Sequence, residues 1–173
     1  MFFLKCTAKA LKYLKARPAD ASELPEQTNR LGAWFANVIT VARKKYLLLT
    51  NEKSLASVVL RAEGGRLDLA EFADRVRHGL EFCGVRADVI ETEIGAMAEY
   101  AIARTDSRRV LGTMNDACNA CRYAVEVYGK QDDITSPDWQ DHLWSTPYGA
   151  IEYRFPRDEI ARLLAERASG VSI

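Results

Sequence analysis

Amides and hydroxyls near the ends of two predicted strands are the side chains best placed for chemistry. Trp34–Ala42 and Tyr46–Thr50 are rich in β-branched, aromatic and leucine residues, and they predict a β-hairpin that turns at the three cations between them. Alternation places Asn37 in an apolar row, and counting outward from the turn sets it opposite Thr50 and Asn51. Because buried amides need hydrogen-bond partners, this arrangement predicts a polar pocket floor at the open end of the hairpin. In the alternative interpretation, Asn37 satisfies backbone groups and Asn51 caps a following helix.

A second candidate segment is Thr113-Met114-Asn115-Asp116, which is typical of the start of a helix that Gly129 ends. The N-terminus of a helix offers unpaired N–H groups and a positive dipole end, which favour an anionic ligand. Thr113, Asn115 and Asp116 are therefore predicted to join the pocket at the hairpin end. The carboxylate of Asp116 in the first turn argues in part against an anion.

Five cations form a candidate phosphate-contacting surface. Arg43, Lys44 and Lys45 occupy the predicted hairpin turn, and Arg108 and Arg109 precede the later helix. The two groups act together only if the turn and the later segment are neighbours; the alternative is solvation of ordinary turns. The sequence contains no phosphate-binding loop, dinucleotide-binding glycine motif or serine-nucleophile motif, so nucleotide hydrolysis by those routes is not predicted.

The cysteines and histidines do not form a recognisable catalytic or metal-binding pattern. Cys118 and Cys121 make one C-x-x-C, which lacks the remaining ligands of a zinc site and lies past the helix start that a redox thiolate needs. Core packing is the preferred interpretation of this pair. His78 points away from the apolar stripe of its helix, which predicts a solvated helix face, and His142 lies in a predicted loop. The sequence therefore predicts neither a bound metal nor a cofactor.

The elements that position these residues follow an irregular order. Strands are predicted at 2–6, in the hairpin, at 100–103 and at 150–155, and helices after Thr7, after Asn51, at 68–83, around 89–94, after Thr113 and from Pro156. This order predicts one α+β domain over 1–173, with a mixed or mostly antiparallel sheet of four to five strands and helices packed chiefly on one face. Residues 129–147 are predicted to be a turn-rich connection and 169–173 a loose tail.

Composition is that of an ordinary globular domain. Lysine plus arginine and aspartate plus glutamate both number 24, so binding to nucleic acid or to an anionic membrane would require a local patch. Lys5 and Lys9 interrupt the apolar start, and neither an export signal nor a membrane span is predicted. The cysteines lie in apolar patterns, which favours reduced thiols and a cytoplasmic location.

Several short motifs, taken together, resemble a small bacterial protein family of unknown function. They are Leu4-Lys5-Cys6-Thr7-x-Lys9, Gly32-x-Trp34-x-Ala36-Asn37, Leu49-Thr50-Asn51-x-Lys53-Ser54-Leu55, Leu111-Gly112-Thr113-Met114-Asn115-Asp116 and Thr146-Pro147. The resemblance spans most of the chain and brings no assigned reaction, cofactor or partner. The resemblance implies that Trp34 and Asp116, like Asn37, Asn51 and Asn115, are part of the family's sequence pattern. The candidate ligand-binding set is Trp34, Asn37, Thr50, Asn51, Thr113, Asn115 and Asp116.

Three functional hypotheses follow. The leading one is a non-enzymatic binding or interaction module whose polar pocket takes a small polar ligand or a protein partner. The second is an enzyme for a phosphate-bearing or nucleic-acid substrate, with Asp116 as base or metal ligand and Arg108 or Arg109 stabilising charge. The third is an antitoxin-like or phage-related accessory protein that masks a partner.

Overall fold

The computed structural model describes residues 1–129 and 133–165, so the predicted tail at 169–173 lies outside the described residues. The elements within these ranges are β1 (Phe2–Cys6), α1 (Ala8–Leu14), β2 (Trp34–Val41), β3 (Lys44–Asn51), β4 (Ser57–Arg61), α2 (Leu69–Phe82), α3 (Ala87–Ala96), β5 (Tyr100–Arg104), α4 (Arg108–Tyr128), α5 (Pro137–Trp144) and α6 (Pro156–Ala165). Single 3₁₀ turns occur at Ala21–Glu23, Asp133–Thr135 and Gly149–Ile151.

The strands form one five-stranded sheet in the order β4-β3-β2-β1-β5. β2, β3 and β4 are antiparallel neighbours, whereas β1 runs parallel to both β2 and β5. The predicted fold class, α+β with a mixed sheet of four to five strands, is confirmed.

The two faces of the sheet carry different helices, because side chains alternate along each strand. Trp34 points toward α2, where its ring meets Phe72 edge-on with the ring centroids 5.1 Å apart. α3, α5 and α6 pack against α2, and the predicted grouping of helices on one side holds for these elements. Asn37 and Ile39 point to the opposite face, which lies against α4.

The β2–β3 hairpin has a two-residue turn that begins one residue before the predicted turn at Arg43–Lys45. Ala42 and Arg43 form the turn with φ of 43° and 68°, and Val41 pairs with Lys44. Two-residue turns with positive φ match the right-handed twist of the flanking strands, which favours this geometry over a wider cationic tip. The earlier turn shifts the register, and Asn37 pairs with Leu48. The predicted pairing of Asn37 with Thr50 and Asn51 is therefore wrong.

The segment after Asn51 is a turn followed by β4, and the helix predicted there is wrong. Asn51 accepts hydrogen bonds from the backbone N–H groups of Lys53 and Ser54 at 3.1 and 3.0 Å, which closes a tight turn. Val58 and Val59 then continue a run that is buried on both faces of the sheet. A short run that is apolar throughout fits a helix and a buried strand equally well, so its spacing misled the prediction.

The later helices also depart from the predicted boundaries. α4 begins at Arg108, because the Ser107 hydroxyl accepts the Val110 N–H at 3.3 Å and caps the helix. The predicted turn-rich connection at 129–147 contains a helix, α5. Ser136 caps this helix, and Pro137 lies in its first turn.

The strand predicted at 150–155 is wrong. Gly149–Ile151 is a 3₁₀ turn, and only an isolated bridge joins Tyr148 to Arg154. Glu152 and Tyr153 have φ of 57° and 60°, which is left-handed backbone that a strand cannot contain.

Each outer strand of the sheet has one backbone carbonyl that another element bonds. The Trp144 indole on α5 donates to the Ser57 carbonyl of β4 at 2.9 Å, and the Ala19 N–H donates to the Ile102 carbonyl of β5 at 2.9 Å. A further stretch of strand edge that no described strand pairs with lies inside the sheet order, along the second half of β2.

Candidate functional site

β2 extends past the end of β1 and leaves part of its edge open. The last β1–β2 pair is Cys6 with Ala36, and the chain then turns into α1. The Thr7 N–H donates to the Ala36 carbonyl at 3.0 Å, so the backbone of Ala36 points toward β1. Backbone direction repeats every second residue in a strand, and Val38 and Thr40 therefore point their N–H and C=O groups to the same side. Within the part of the chain that the structure describes, no strand pairs with them there.

A groove of about 440 Å³ runs along this open edge, and we call it the edge groove. It is bounded by the start of α1, the second half of β2 and one side of α4. Its lining residues are Lys9, Asn37, Val38, Ile39, Thr40, Asn115, Cys118, Asn119 and Arg122. Two of them, Asn37 and Asn115, belong to the candidate set predicted from the sequence.

The α4 wall of the edge groove is a polar stripe. Asn115, Asn119 and Arg122 are spaced four and three residues apart, so they lie above one another on one side of the helix. Met114 and Ala117 are buried on the side that faces the sheet. This packing fixes the rotation of α4 and holds the three exposed polar side chains at the groove.

Asn37 is oriented by the cap of α1. The Thr7 hydroxyl caps α1 by accepting the Ala10 N–H at 3.3 Å, and it donates its own hydrogen to the Asn37 Oδ1 at 2.8 Å. The amide oxygen of Asn37 is thereby directed at Thr7. Its NH₂ group has no acceptor among residues 1–129 and 133–165 and is available to a ligand in the edge groove.

The edge groove is electropositive. Lys9 and Arg122 are its charged residues, and no carboxylate belongs to its lining. Neither cation forms an ion pair with the residues that the structure describes. Because the net charge of the whole chain is zero, this local excess of positive charge is what would attract an anionic group.

Asn51 and Trp34 do not belong to this site. They are directly paired across β2 and β3 and are both fully buried. Asn37 is three residues along β2 from Trp34, so its side chain points to the opposite face of the sheet. The predicted common pocket of Asn37 and Asn51 is therefore wrong.

The Asn51 amide is fully engaged in holding loops together. Its NH₂ group donates to the Leu31 and Ala33 carbonyls at 3.0 and 3.3 Å. Its oxygen accepts the Ser54 hydroxyl at 2.9 Å in addition to two backbone N–H groups. Thr50 is likewise buried and shares a 2.8 Å hydrogen bond with Ser57. Asn51 and Thr50 therefore hold the fold together, but Asn51 closes a turn and does not cap the predicted helix.

Thr113 and Asp116 do not mark a helix start. Thr113 is buried inside α4, where its hydroxyl donates to the Arg109 carbonyl at 3.3 Å. Asp116 is exposed on a different side of α4 from the groove stripe and close to Tyr148. Burial, followed by the charges of Cys121 and Asp116, raises the pKa of Tyr148.

The predicted phosphate-contacting surface does not form. Arg109 donates to the Glu52 carbonyl at 2.7 Å, just beyond the end of β3, and Arg108 is its neighbour at the start of α4. Lys44 and Lys45 lie at the other end of β3, which is roughly 25 Å away at the rise of an extended strand. Arg43 sits in the turn just before them.

The C-x-x-C thiols pack in the core, as their helical spacing predicted. Cys118 and Cys121 are buried and unbridged, and burial raises the pKa of Cys121 to about 11. A neutral thiol is a poor nucleophile and metal ligand at neutral pH. Over the described ranges, no group of three or more histidine, cysteine, aspartate or glutamate residues is placed to hold a metal ion.

Sequence reasoning missed Lys9, Asn119 and Arg122 as parts of the site. Lys9 is the last residue of one of the motifs, and Asn119 and Arg122 follow Asn115 at helical spacing. Those two signals were sufficient to find them. The open backbone at Val38 and Thr40 carries no sequence signal, because it depends on where β1 stops beside β2.

The fold and the edge groove define an α+β protein with a mixed sheet. In the described residues, the second half of its β2 strand has no neighbouring strand on the side of β1. The chain belongs to the family described as domain of unknown function DUF6933, whose family model matches residues 3–159. Comparisons with curated proteins and with solved structures gave no match. Among the helices of the described residues, none is long and apolar enough to span a membrane.

Proposed function

We propose that this protein is a non-enzymatic binding module and that the edge groove binds an anionic ligand. One observation carries the proposal: Lys9 and Arg122 converge with three amide side chains on one concave surface that has no carboxylate. Charge-assisted hydrogen bonds from such donors are stronger than neutral ones.

The lining of the groove favours binding over chemistry. Asn37, Asn115 and Asn119 donate hydrogen bonds but do not titrate, and Lys9 and Arg122 supply positive charge. Cys118 lines the groove but is only 7% exposed. None of these described lining residues is a candidate general base.

The motifs that carry the family resemblance also support this location. Three of them, separate in sequence, each contribute one residue to the edge groove: Lys9, Asn37 and Asn115. Convergence of separate motifs on one surface is expected of a binding site, whereas motifs that only maintain the fold are expected in the core.

The enzyme hypothesis has weaker support. Asp116 follows Arg109 by seven residues on α4, which separates them by about 10 Å along the helix axis. The guanidinium of Arg109 is directed at backbone carbonyls of Glu52 and Ala150. The accessory-protein hypothesis stays a prediction, and a binding groove is compatible with it.

Titration of isotope-labelled protein with inorganic phosphate and, separately, with glutarate tests the proposal by NMR. The side-chain amide resonances of Asn37, Asn115 and Asn119 are expected to shift together as either anion is added. Arg122→Glu is expected to abolish these shifts, because it replaces the cation of the α4 wall with a carboxylate.

The matched control is Arg66→Glu, which makes the same charge change at an exposed arginine outside the groove lining. It is expected to leave the shifts intact. Equal loss in both variants would show a non-specific charge effect, and shifts confined to residues outside the groove would refute the proposed site.

A further inference from the structure

We propose that the edge groove binds an acidic peptide segment in extended conformation, which adds to the sheet as a strand beside Val38 and Thr40. This inference rests on the proposed binding function and names the class of ligand. The open backbone of β2, the vacated path of β1 and the charge of the groove walls all support it.

The open backbone is the first argument. Thr40 pairs with Lys45 across the hairpin, but its N–H and C=O groups point away from β3, as do those of Val38. Each of these two residues thus offers one donor and one acceptor to the groove. An extended peptide satisfies both kinds of group at once, whereas a free anion pairs only with the donors.

The space beside β2 is the second argument. A strand added there would lie about 4.8 Å from β2, on the line that β1 would follow if it continued. β1 leaves that line because Thr7 caps α1 directly after Cys6. The peptide would therefore fill a strand position that the fold itself leaves vacant.

The dimensions and charge of the groove walls are the third argument. Asn115 and Arg122 are seven residues apart on α4, which corresponds to about 10 Å. Three residues of an extended peptide span about the same length. Alternate side chains of the peptide would face α4, and the cations Arg122 and Lys9 favour carboxylates among its residues.

A nucleic acid fits this site less well than a peptide. Its phosphates would pair with Lys9 and Arg122 but would leave the carbonyls of Val38 and Thr40 without donors. The balance of 24 basic and 24 acidic residues also provides no extended positive surface for a polynucleotide.

Fluorescence polarisation with designed peptides tests the inference. The probe is a labelled, capped hexapeptide of alternating valine and glutamate, and the first control is its valine–lysine counterpart. The second control is the acidic peptide with alternate amides N-methylated, prepared in both registers. We expect binding of the acidic probe, no binding of the lysine peptide, and about tenfold or greater weakening in at least one methylated register.

A protein variant removes the same hydrogen bond from the other side. Thr40→Pro deletes the outward N–H, and edge positions of sheets tolerate proline. Its probe affinity is expected to be about tenfold weaker than that of Thr40→Val, which loses the same hydroxyl but keeps the N–H. Thermal unfolding of both variants establishes that each is folded. If Thr40→Pro does not fold, the methylated peptides alone decide whether the peptide binds as an added strand.

The outcomes separate this inference from the proposed function. If phosphate and glutarate shift the groove amides but both methylated peptides bind as well as the parent, strand addition is refuted and anion binding stands. Preference for an oligothymidylate over the acidic peptide would also refute it. If neither the anions nor the acidic peptide binds, both proposals fail.

Discussion

Asn51→Ala is expected to lower the free energy of unfolding by about 3 to 5 kcal/mol. The substitution removes a fully buried amide that joins the β3 end to the loop before β2 through the carbonyls of Leu31 and Ala33. It also leaves the N–H groups of Lys53 and Ser54 without their acceptor. Buried polar groups without partners each cost about 1 to 3 kcal/mol. Urea unfolding followed by tryptophan fluorescence measures the change.

Asn119→Ala is the matched control for this substitution. Asn119 is exposed on α4, and its side chain makes no hydrogen bond within residues 1–129 and 133–165. Its replacement is expected to change stability by no more than about 0.5 kcal/mol. A loss below about 1 kcal/mol in Asn51→Ala would contradict the structural role assigned to that amide.

Gly79→Ala is expected to destabilise the protein by about 2 kcal/mol. Gly79 lies on α2 against the six-membered ring of Trp144, and an added methyl group would overlap three atoms of that ring. The ring is fully buried, and its N–H is bonded to the Ser57 carbonyl, so it cannot move aside without losing that bond. Thermal or urea denaturation reports the expected loss.

The control uses a glycine in another helix. Gly112 lies within α4 and has no atom within 4 Å of an added Cβ. Gly112→Ala is expected to raise stability by up to about 1 kcal/mol, because alanine has the higher helix propensity. If the two alanine variants had equal stability, close packing of α2 on α5 would be refuted.

The parts of the fold that local signals define were predictable. The α2 helix has a cap at Asp68, an apolar stripe that includes Phe72 and Val76, and an end near Gly84, and the structure contains it at Leu69–Phe82. The β1 strand was predicted with its observed bounds. Each of these elements is specified by a run of residues whose signals agree with one another.

The predicted secondary structure was wrong where one sequence pattern fits two different structures. The run at Val58 and Val59 is buried on both faces and fits a helix as well as a strand. The hairpin turn at Ala42 and Arg43 lacks the Asn-Gly or Gly-Gly signal that identifies a two-residue turn. That single misplacement moved the partner of Asn37 from Asn51 to Leu48.

The candidate site was therefore predictable only in part. Asn37 and Asn115 were singled out from the sequence, and the structure places both in the edge groove. Their predicted proximity depended on the hairpin register and on a helix start at Thr113, and both of those predictions were wrong. The backbone of Val38 and Thr40 could not be identified, since its exposure depends on the relative lengths of two strands that are distant in sequence.

Amide hydrogen exchange in the protein alone tests most directly whether β2 has an open edge. The N–H groups of Asn37 and Ile39 point to β3 and are expected to exchange slowly, whereas those of Val38 and Thr40 point into the edge groove and are expected to exchange fast. This alternation along four consecutive residues is the predicted result. Slow exchange at Val38 and Thr40, equal to that at Asn37 and Ile39, would contradict the open edge and with it the proposed strand addition.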